Sequence, residues 1–151
     1  MANIDLFKQE PFYESPIVQS QAYFAMGDVM KSKGKYREAL TWLIKAVEAD
    51  NNYADAWVEL GLTKFKMGDN IGAIVAWSKA HEVAPDYPLP LYNLARIHDR
   101  LRKYDVSHEQ KAIHFYKEYL AAAGKYHEVL LKRRDRIEFS EIRLKTLTGS
   151  M

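Results

Sequence analysis

The sequence predicts an all-α protein in which antiparallel helix hairpins stack into a solenoid. Three observations predict this fold class: a fixed repeat, helical spacing of apolar residues within each copy, and small residues where two helices would meet. The repeat has a period of 34 residues, and its matched positions include the pairs Gly27 and Gly61, Gly34 and Gly68, Ala39 and Ala73, Ala46 and Ala80, Tyr23 and Trp57, and Leu43 and Trp77. Such a period is typical of helical repeats, because one hairpin cannot bury its apolar face without a neighbour.

The composition fits one folded unit and excludes several kinds of chemistry. The chain has 151 residues, of which 48% are hydrophobic, so it can bury a core. Its 22 basic and 20 acidic residues give a net charge of +2, and we expect no nucleic-acid partner. The absence of cysteine excludes disulfides, thiolate catalysis and cysteine-ligated metals. No apolar run reaches the roughly 20 residues that span a bilayer. The first residues do not resemble a signal peptide, so we expect a cytoplasmic protein.

The first segment differs from the rest of the chain. Residues 1–18 carry Pro11 and Pro16 and show no helical period, which predicts an extended N-terminal arm. Its apolar side chains are expected to dock on a surface, because leaving them all in water is unfavourable.

Two complete repeats follow, at about 19–52 and 53–86. In each, apolar residues recur at helical spacing on both sides of a polar break, so each repeat is predicted to be a helix hairpin. Gly27 and Gly61 are expected to let the paired helices approach closely. The turn between the helices needs a residue that tolerates positive φ, and glycine stands there in both copies, at Gly34 and Gly68.

The third repeat, at about 87–124, departs from the period. Position 107 holds serine, and the alanine expected there stands at Ala112, which indicates an insertion of five residues. Ser107 and Gln110 have the spacing of a capping box, so the second helix of this repeat is expected to start near His108.

Residues 125–151 are predicted to form a C-terminal capping helix and tail, because a solenoid needs an end helix over its last apolar face. This segment holds seven basic and four acidic residues. Its basic face is either solvated or a contact for an acidic partner or anionic surface.

The repeats resemble the tetratricopeptide repeat (TPR) family over about residues 20–120. The second copy carries the pattern most completely, in Trp57, Leu60, Gly61, Gly68, Ala73, Trp77, Ala80 and Pro85. The resemblance implies three repeats in a right-handed superhelix, closed by the capping helix. It also implies a concave groove, lined by the first helix of each pair, that holds a peptide or helix of a partner protein.

The resemblance also implies which residues line that groove. Its apolar strip would consist of Phe24, Val58, Leu62, Phe65 and Tyr92. The polar residues beside the strip would be Asp28, Glu59, Asn93, Arg96 and Asp99. Some family members grip a C-terminal carboxylate with a basic clamp, but the matching positions here include two acids and no lysine. Those acids would repel a free carboxylate.

We therefore expect a non-enzymatic interaction module or adaptor. The five histidines form no metal-binding motif, no phosphate-binding glycine loop is present, and no cofactor is expected. Two alternatives remain open for the function: a scaffold that self-assembles through its N-terminal arm as a homo-oligomer, and a small chaperone for secreted or assembly subunits. The groove residues could also pack on the arm or serve the core alone.

Overall fold

The computed structural model describes residues 15–126 and 132–150, and these residues form seven α-helices and no strand. In chain order the helices are α1 (Pro16–Ser32), α2 (Tyr36–Ala49), α3 (Ala54–Lys66), α4 (Asn70–Val83), α5 (Pro88–Leu101), α6 (Ser107–Lys125) and α7 (Arg134–Thr148). The protein is thus an all-α helical repeat solenoid, as the period predicts. Over these two stretches, no helix combines the length and the apolar character that a membrane crossing requires.

Helices that follow each other in the chain pack together. α1 packs on α2, α3 on α4 and α5 on α6, which makes the three hairpins. The hairpins are joined by contacts of α2 with α3 and of α4 with α5, and α7 packs on α6. Small residues are buried where the helices cross, namely Ala39, Ala46, Ala56, Ala73, Ala76, Ala80, Ala95 and Ala112. Small side chains at these points let the helix axes approach, while larger ones fill the space between.

Two glycines make the closest helix approaches, as predicted. A Cβ atom at Gly27 would lie 2.8 Å from Cγ of Leu43, and one at Gly61 would lie 2.6 Å from Cδ1 of Trp77. Leu43 and Trp77 occupy the same position in successive repeats, so one packing solution is used twice. In both hairpins a large side chain of the second helix fills the space that a missing methyl leaves on the first.

The predicted role of the turn glycines is also confirmed. Gly34 has a φ of +72° and Gly68 a φ of +85°, a region that side chains with a Cβ avoid. Directly after Gly68, Asp69 caps α4 by accepting a hydrogen bond of 2.8 Å from the backbone N–H of Gly72. The second turn is therefore held by both a glycine and a cap.

The first helix begins earlier than the sequence indicates. α1 starts at Pro16, so residues 16–18 of the expected arm are helical. Proline is well tolerated at this position, because the first N–H groups of a helix have no partner within it. The remainder of the predicted arm, residues 1–14, lies outside the described residues.

The capping box predicted in the third hairpin is wrong. α6 begins at Ser107 itself, and no side chain caps it. Instead, Oδ1 of Asp105 accepts a hydrogen bond of 2.9 Å from the backbone N–H of Ser107. The inserted residues thus include an aspartate that accepts from the first N–H of the helix, two positions before the residue that the motif suggested.

The last helix occupies only part of the segment 125–151 that was predicted to hold the capping helix and tail. α6 continues to Lys125, α7 runs from Arg134 to Thr148, and residues 127–131 lie outside the described part of the chain. Ile137, Leu144 and Leu147 of α7 pack against buried residues of α5 and α6. The end of the solenoid is covered by this contact.

Candidate functional site

The ten predicted groove residues lie on α1, α3 and α5, the first helices of the three hairpins. We call the surface that these helices share the first-helix face. Two of the ten are buried, Val58 at 1% exposure and Tyr92 at 8%. Asp28 and Arg96 are exposed, and the half-buried residues are Phe24, Glu59, Leu62, Phe65, Asn93 and Asp99. Because Val58 is interior, the apolar strip is not continuous at the surface.

The first-repeat end of the strip is used mainly for packing. The Phe24 ring lies 5.2 Å from the Tyr53 ring, centroid to centroid, and both pack on the core between α2 and α3. The carbonyl of Val58 accepts a hydrogen bond of 3.1 Å from the Trp77 indole N–H. For these two residues, the structure matches the alternative in which they serve the core.

The acids at this end are compensated by a lysine. Nζ of Lys31 lies 2.9 Å from Oδ1 of Asp28 and also pairs with Glu59 on α3. Partial burial lowers the pKa of Lys31, but its hydrogen bonds to Glu59 and Asp28 outweigh that effect and leave the pKa above its usual value. The lysine therefore joins two repeats and offsets both acidic charges.

An apolar concavity lies on the first-helix face between α3 and α5. It has a volume of about 200 Å³, and we call it the anchor pocket; its lining is Leu62, Phe65, Trp77, Asn93, Arg96, Ile97 and Arg100. The Phe65 and Trp77 ring centroids are 6.0 Å apart, and the Arg100 guanidinium lies 5.5 Å from the Phe65 centroid. An apolar floor thus meets two arginines at the rim.

Four predicted residues meet in this pocket, and three of its residues were not predicted. The predicted ones are Leu62, Phe65, Asn93 and Arg96. Trp77 lies on α4, outside the predicted groove positions, but its ring packs against Gly61 and also lines the pocket. That glycine was the available signal, because its missing side chain makes room for the indole. Ile97 and Arg100 lie on the same side of α5 as Asn93, one and two helical turns further on.

Asn93 presents an unsatisfied group in the pocket lining. Its Nδ2 is buried and has no hydrogen-bond partner among the described residues. A buried donor without a partner costs roughly 1–3 kcal/mol. Because this nitrogen has less than 1 Å² of exposed surface, a ligand would reach it only after a local rearrangement of the pocket wall.

Asp99, predicted at the groove rim, instead holds α7 in place. Its carboxylate accepts two hydrogen bonds of 2.7 Å from Arg143 of α7, one of 2.9 Å from Arg102 and one of 3.2 Å from Tyr116. Burial raises the pKa of Asp99, but the hydrogen bonds from Arg143 and Arg102 outweigh this, and the pKa lies below its usual value. The carboxylate is therefore ionised, and both of its oxygens accept hydrogen bonds from within the protein.

Two further groove residues also contact α7. The Arg136 guanidinium lies 5.0 Å from the Tyr92 ring centroid, and the Arg96 guanidinium lies 5.4 Å from that of Phe139. Such contacts between a cation and a ring face are attractive. The third-repeat end of the first-helix face is thus partly covered by the protein's own last helix.

A second, polar concavity opens between α5 and α7. It measures about 420 Å³, and we call it the basic pocket; its lining is Arg96, Asp99, Arg100, Arg102, Lys103, Tyr116, Phe139 and Arg143. Five of these eight residues are basic and one is acidic. This concentration of charge was not predicted, because it combines the end of α5 with a helix more than 30 residues later in the chain.

No metal centre is evident among residues 15–126 and 132–150: no three histidine, aspartate or glutamate side chains are placed so that they could hold an ion.

Comparison with known proteins agrees with the repeat architecture. A family model described as TPR repeat matches residues 27–68, which span most of the first hairpin and the first helix of the second. No curated protein matches the sequence significantly.

Solved structures of the same fold cover most of the chain. A T3SS complex from Aeromonas hydrophila aligns at a TM-score of 0.74 and 16% identity, over 95% of this chain and 92% of that chain. PcrH in complex with the chaperone binding region of PopD aligns at 0.72 and 16%, over 85% and 90%. The Arabidopsis OM64 TPR domain aligns at 0.70 and 11%, over 87% and 98%. These likenesses show the fold: the described residues form an all-α solenoid of TPR-type helix hairpins, and the family model identifies a TPR repeat at residues 27–68.

Proposed function

We propose that this protein is a non-enzymatic interaction module that binds a peptide or helix of a partner protein on its first-helix face. The observation that carries the proposal is the anchor pocket between α3 and α5. Its volume of about 200 Å³ is below the roughly 300–1,000 Å³ typical of small-molecule sites. It therefore suits one apolar side chain of a larger ligand. Burial of such a side chain contributes about 1.5–3 kcal/mol.

The pocket is formed before the partner arrives, which favours binding. Trp77 is held by the hydrogen bond to the Val58 carbonyl, and Phe65 is packed on Trp77. Little ordering is then required of the protein, and the entropy cost falls mainly on the partner segment. Two structures of the same fold support this type of function: PcrH is in complex with the chaperone binding region of PopD, and the first TPR of Spaghetti is bound to an HSP90 peptide.

A small chaperone for secreted or assembly subunits is the second candidate. The alignments with the T3SS complex and PcrH cover 95% and 85% of this chain, and 92% and 90% of those chains. The size and the fold therefore agree with such a role. A chaperone of this type would use the same anchor pocket. The two candidates differ in whether the bound segment belongs to a protein that needs protection before assembly.

Self-assembly is the third candidate, and one surface favours it. α1 is the first helix of the described residues, and it exposes Val18, Met26 and Val29 at 37%, 40% and 44%. Light scattering on Met26→Lys tests this possibility. A mass equal to that of one chain for both wild type and variant contradicts self-assembly through this surface.

A random peptide display library selected against the immobilised full chain tests the proposed function. Wild type should enrich binding peptides with a common apolar position. The variant Leu62→Lys places a charge in the pocket and should lose those peptides. The matched control is Ile71→Lys on α4, at a position that is 78% exposed and outside the pocket.

Circular dichroism should give the same helical signal for the three proteins. If no peptide is enriched, or if the selected peptides bind Leu62→Lys as well as wild type, the proposed function is wrong. If Leu62→Lys loses its helical signal, Asn93→Lys replaces it in the same comparison, because Asn93 is half-buried and lines the same pocket.

A further inference from the structure

The anchor pocket and the basic pocket form one continuous surface. Arg96 and Arg100 line both, so each arginine stands at the boundary between the apolar floor and the cationic region. They are four residues apart on α5, which places their side chains about 5–6 Å apart at Cβ on one side of the helix. A ligand that fills the first pocket must pass these arginines to reach the second.

The positive charge of this surface is only partly compensated within the protein. Arg143 and Arg102 both pair with Asp99, and Arg102 also lies 3.7 Å from Glu109. For Arg96 and Arg100, no carboxylate lies within salt-bridge distance anywhere in residues 15–126 and 132–150. The same is true of Lys103 at the end of α5. Three cations therefore have no carboxylate partner in this part of the chain: Arg96 and Arg100 at the rim of the apolar floor, and Lys103 in the basic pocket, where it lies over the Tyr104 ring.

The two arginines are positioned without the use of their hydrogen-bond donors. Arg96 lies 5.7 Å from the Tyr92 ring centroid and 5.4 Å from that of Phe139, and Arg100 lies 5.5 Å from that of Phe65. Contact with a ring face orients a guanidinium through its charge, and its N–H groups stay free. Such a preoriented guanidinium can bind a carboxylate with two parallel hydrogen bonds.

We propose that the partner segment is an acidic peptide, in which an apolar anchor residue is flanked by aspartate or glutamate. This inference rests on the proposed function. The anchor side chain enters the anchor pocket, and carboxylates one to three residues away bind Arg96, Arg100 and Lys103. Carboxylates two residues apart on the peptide match the two arginines, because two residues of extended chain cover about 6.5 Å and residues four apart on a helix are about 5–6 Å apart at Cβ. The carboxylates are side chains within the segment and not its terminus.

Three display libraries test the inference. Each fixes a central leucine and fuses the peptide at both ends, so that no terminal carboxylate is free. The flanks draw on Asp, Glu, Gly and Ser in the first library, on Asn, Gln, Gly and Ser in the second, and on Lys, Arg, Gly and Ser in the third. Wild type should enrich binders from the acidic library, and their affinity should fall as sodium chloride is raised.

Two charge reversals of equal size locate the effect. Arg100→Glu should weaken binding of the selected acidic peptides about tenfold or more, because it removes a charge-assisted contact and adds repulsion. The matched control is Arg37→Glu on α2, an exposed arginine outside both pockets, which should leave affinity unchanged within twofold or so. Leu62→Lys should also remove binding of the acidic peptides.

The outcomes separate this inference from the proposed function. Neutral peptides that bind as well as acidic ones, depend on Leu62 and ignore Arg100→Glu would overturn the acidic inference and leave the proposed function standing. Acidic peptides that depend on Arg100 but tolerate Leu62→Lys would overturn the anchored mode. A thymidine oligonucleotide that binds more tightly than any acidic peptide, and is lost with Arg100→Glu, would show that the partner is a nucleic acid. Binding from none of the libraries would refute both.

Discussion

The imidazole of His98 should make the stability of this fold depend on pH between about 4 and 6.5. His98 is 4% exposed, its ring stacks on Phe115, and its Nδ1 lies 2.6 Å from Nδ1 of His108. Only one hydrogen fits between these two nitrogens, so one ring must accept with its lone pair. Burial, together with the nearby charges of His108 and Lys111, lowers the pKa of His98 from 6.5 to about 4.

The sign and the size of the effect follow from this shift. The folded protein binds the proton more weakly than the unfolded chain. The free energy of unfolding is therefore highest above about pH 6.5 and decreases as the pH falls toward about 4. Lowering the pKa of His98 from 6.5 to about 4 is equivalent to about 3 kcal/mol in total. About 2 kcal/mol of this should already be lost between pH 7.5 and pH 5.

Urea unfolding of wild type and His98→Leu at several pH values measures the effect. The carboxylates titrate in both proteins, so the difference between their free energies of unfolding isolates His98. That difference should fall by about 2 kcal/mol on going from pH 7.5 to pH 5, and it should be flat above pH 7. Parallel pH profiles for the two proteins would refute the argument that His98 is neutral in the fold because of its surroundings.

Three further changes test the packing. Gly61→Ala should lower the free energy of unfolding by about 1–3 kcal/mol because its Cβ meets the indole of Trp77. Gly124→Ala, with open space around it, should instead raise the melting temperature slightly. Equal melting temperatures for the two variants would contradict this contrast. Trp77→Phe should cost about 1 kcal/mol by leaving the Val58 carbonyl without its donor, which urea unfolding measures. Asp99→Asn should cost about 2 kcal/mol and speed hydrogen exchange in α7, and unchanged α7 protection would contradict the network.

The helical hairpins could be predicted because the forces that define them act over short distances in the chain. The apolar spacing, the turn glycines at Gly34 and Gly68 and the matched contacts of Gly27 and Gly61 all lie within one repeat. Prediction was weaker where the period is broken. Ser107 fits a local capping motif, but Asp105 reaches the N–H of Ser107, because the inserted residues offer two polar side chains and only geometry selects between them.

The lining of the anchor pocket was predicted in part. Leu62, Phe65, Asn93 and Arg96 do meet at one pocket, because residues that share a helical face in matched repeats lie side by side. Val58 was assigned to the groove although it is buried. The repeat register does not predict how far a neighbouring side chain such as Trp77 extends. Here the Trp77 indole reaches the backbone of α3 and donates a hydrogen bond to the Val58 carbonyl.

The repeated alternation of small and large residues was enough to determine the hairpins, their order and the first-helix face, since each depends on neighbours one period apart. Only the tertiary structure decided which part of that face stays open. α7 returns over α5 through the pair of Arg143 with Asp99, residues 44 positions apart. This contact uses one predicted groove acid for docking and leaves Arg96 and Arg100 unpaired beside an apolar pocket. No local pattern encodes the result, because it depends on where a distant helix packs.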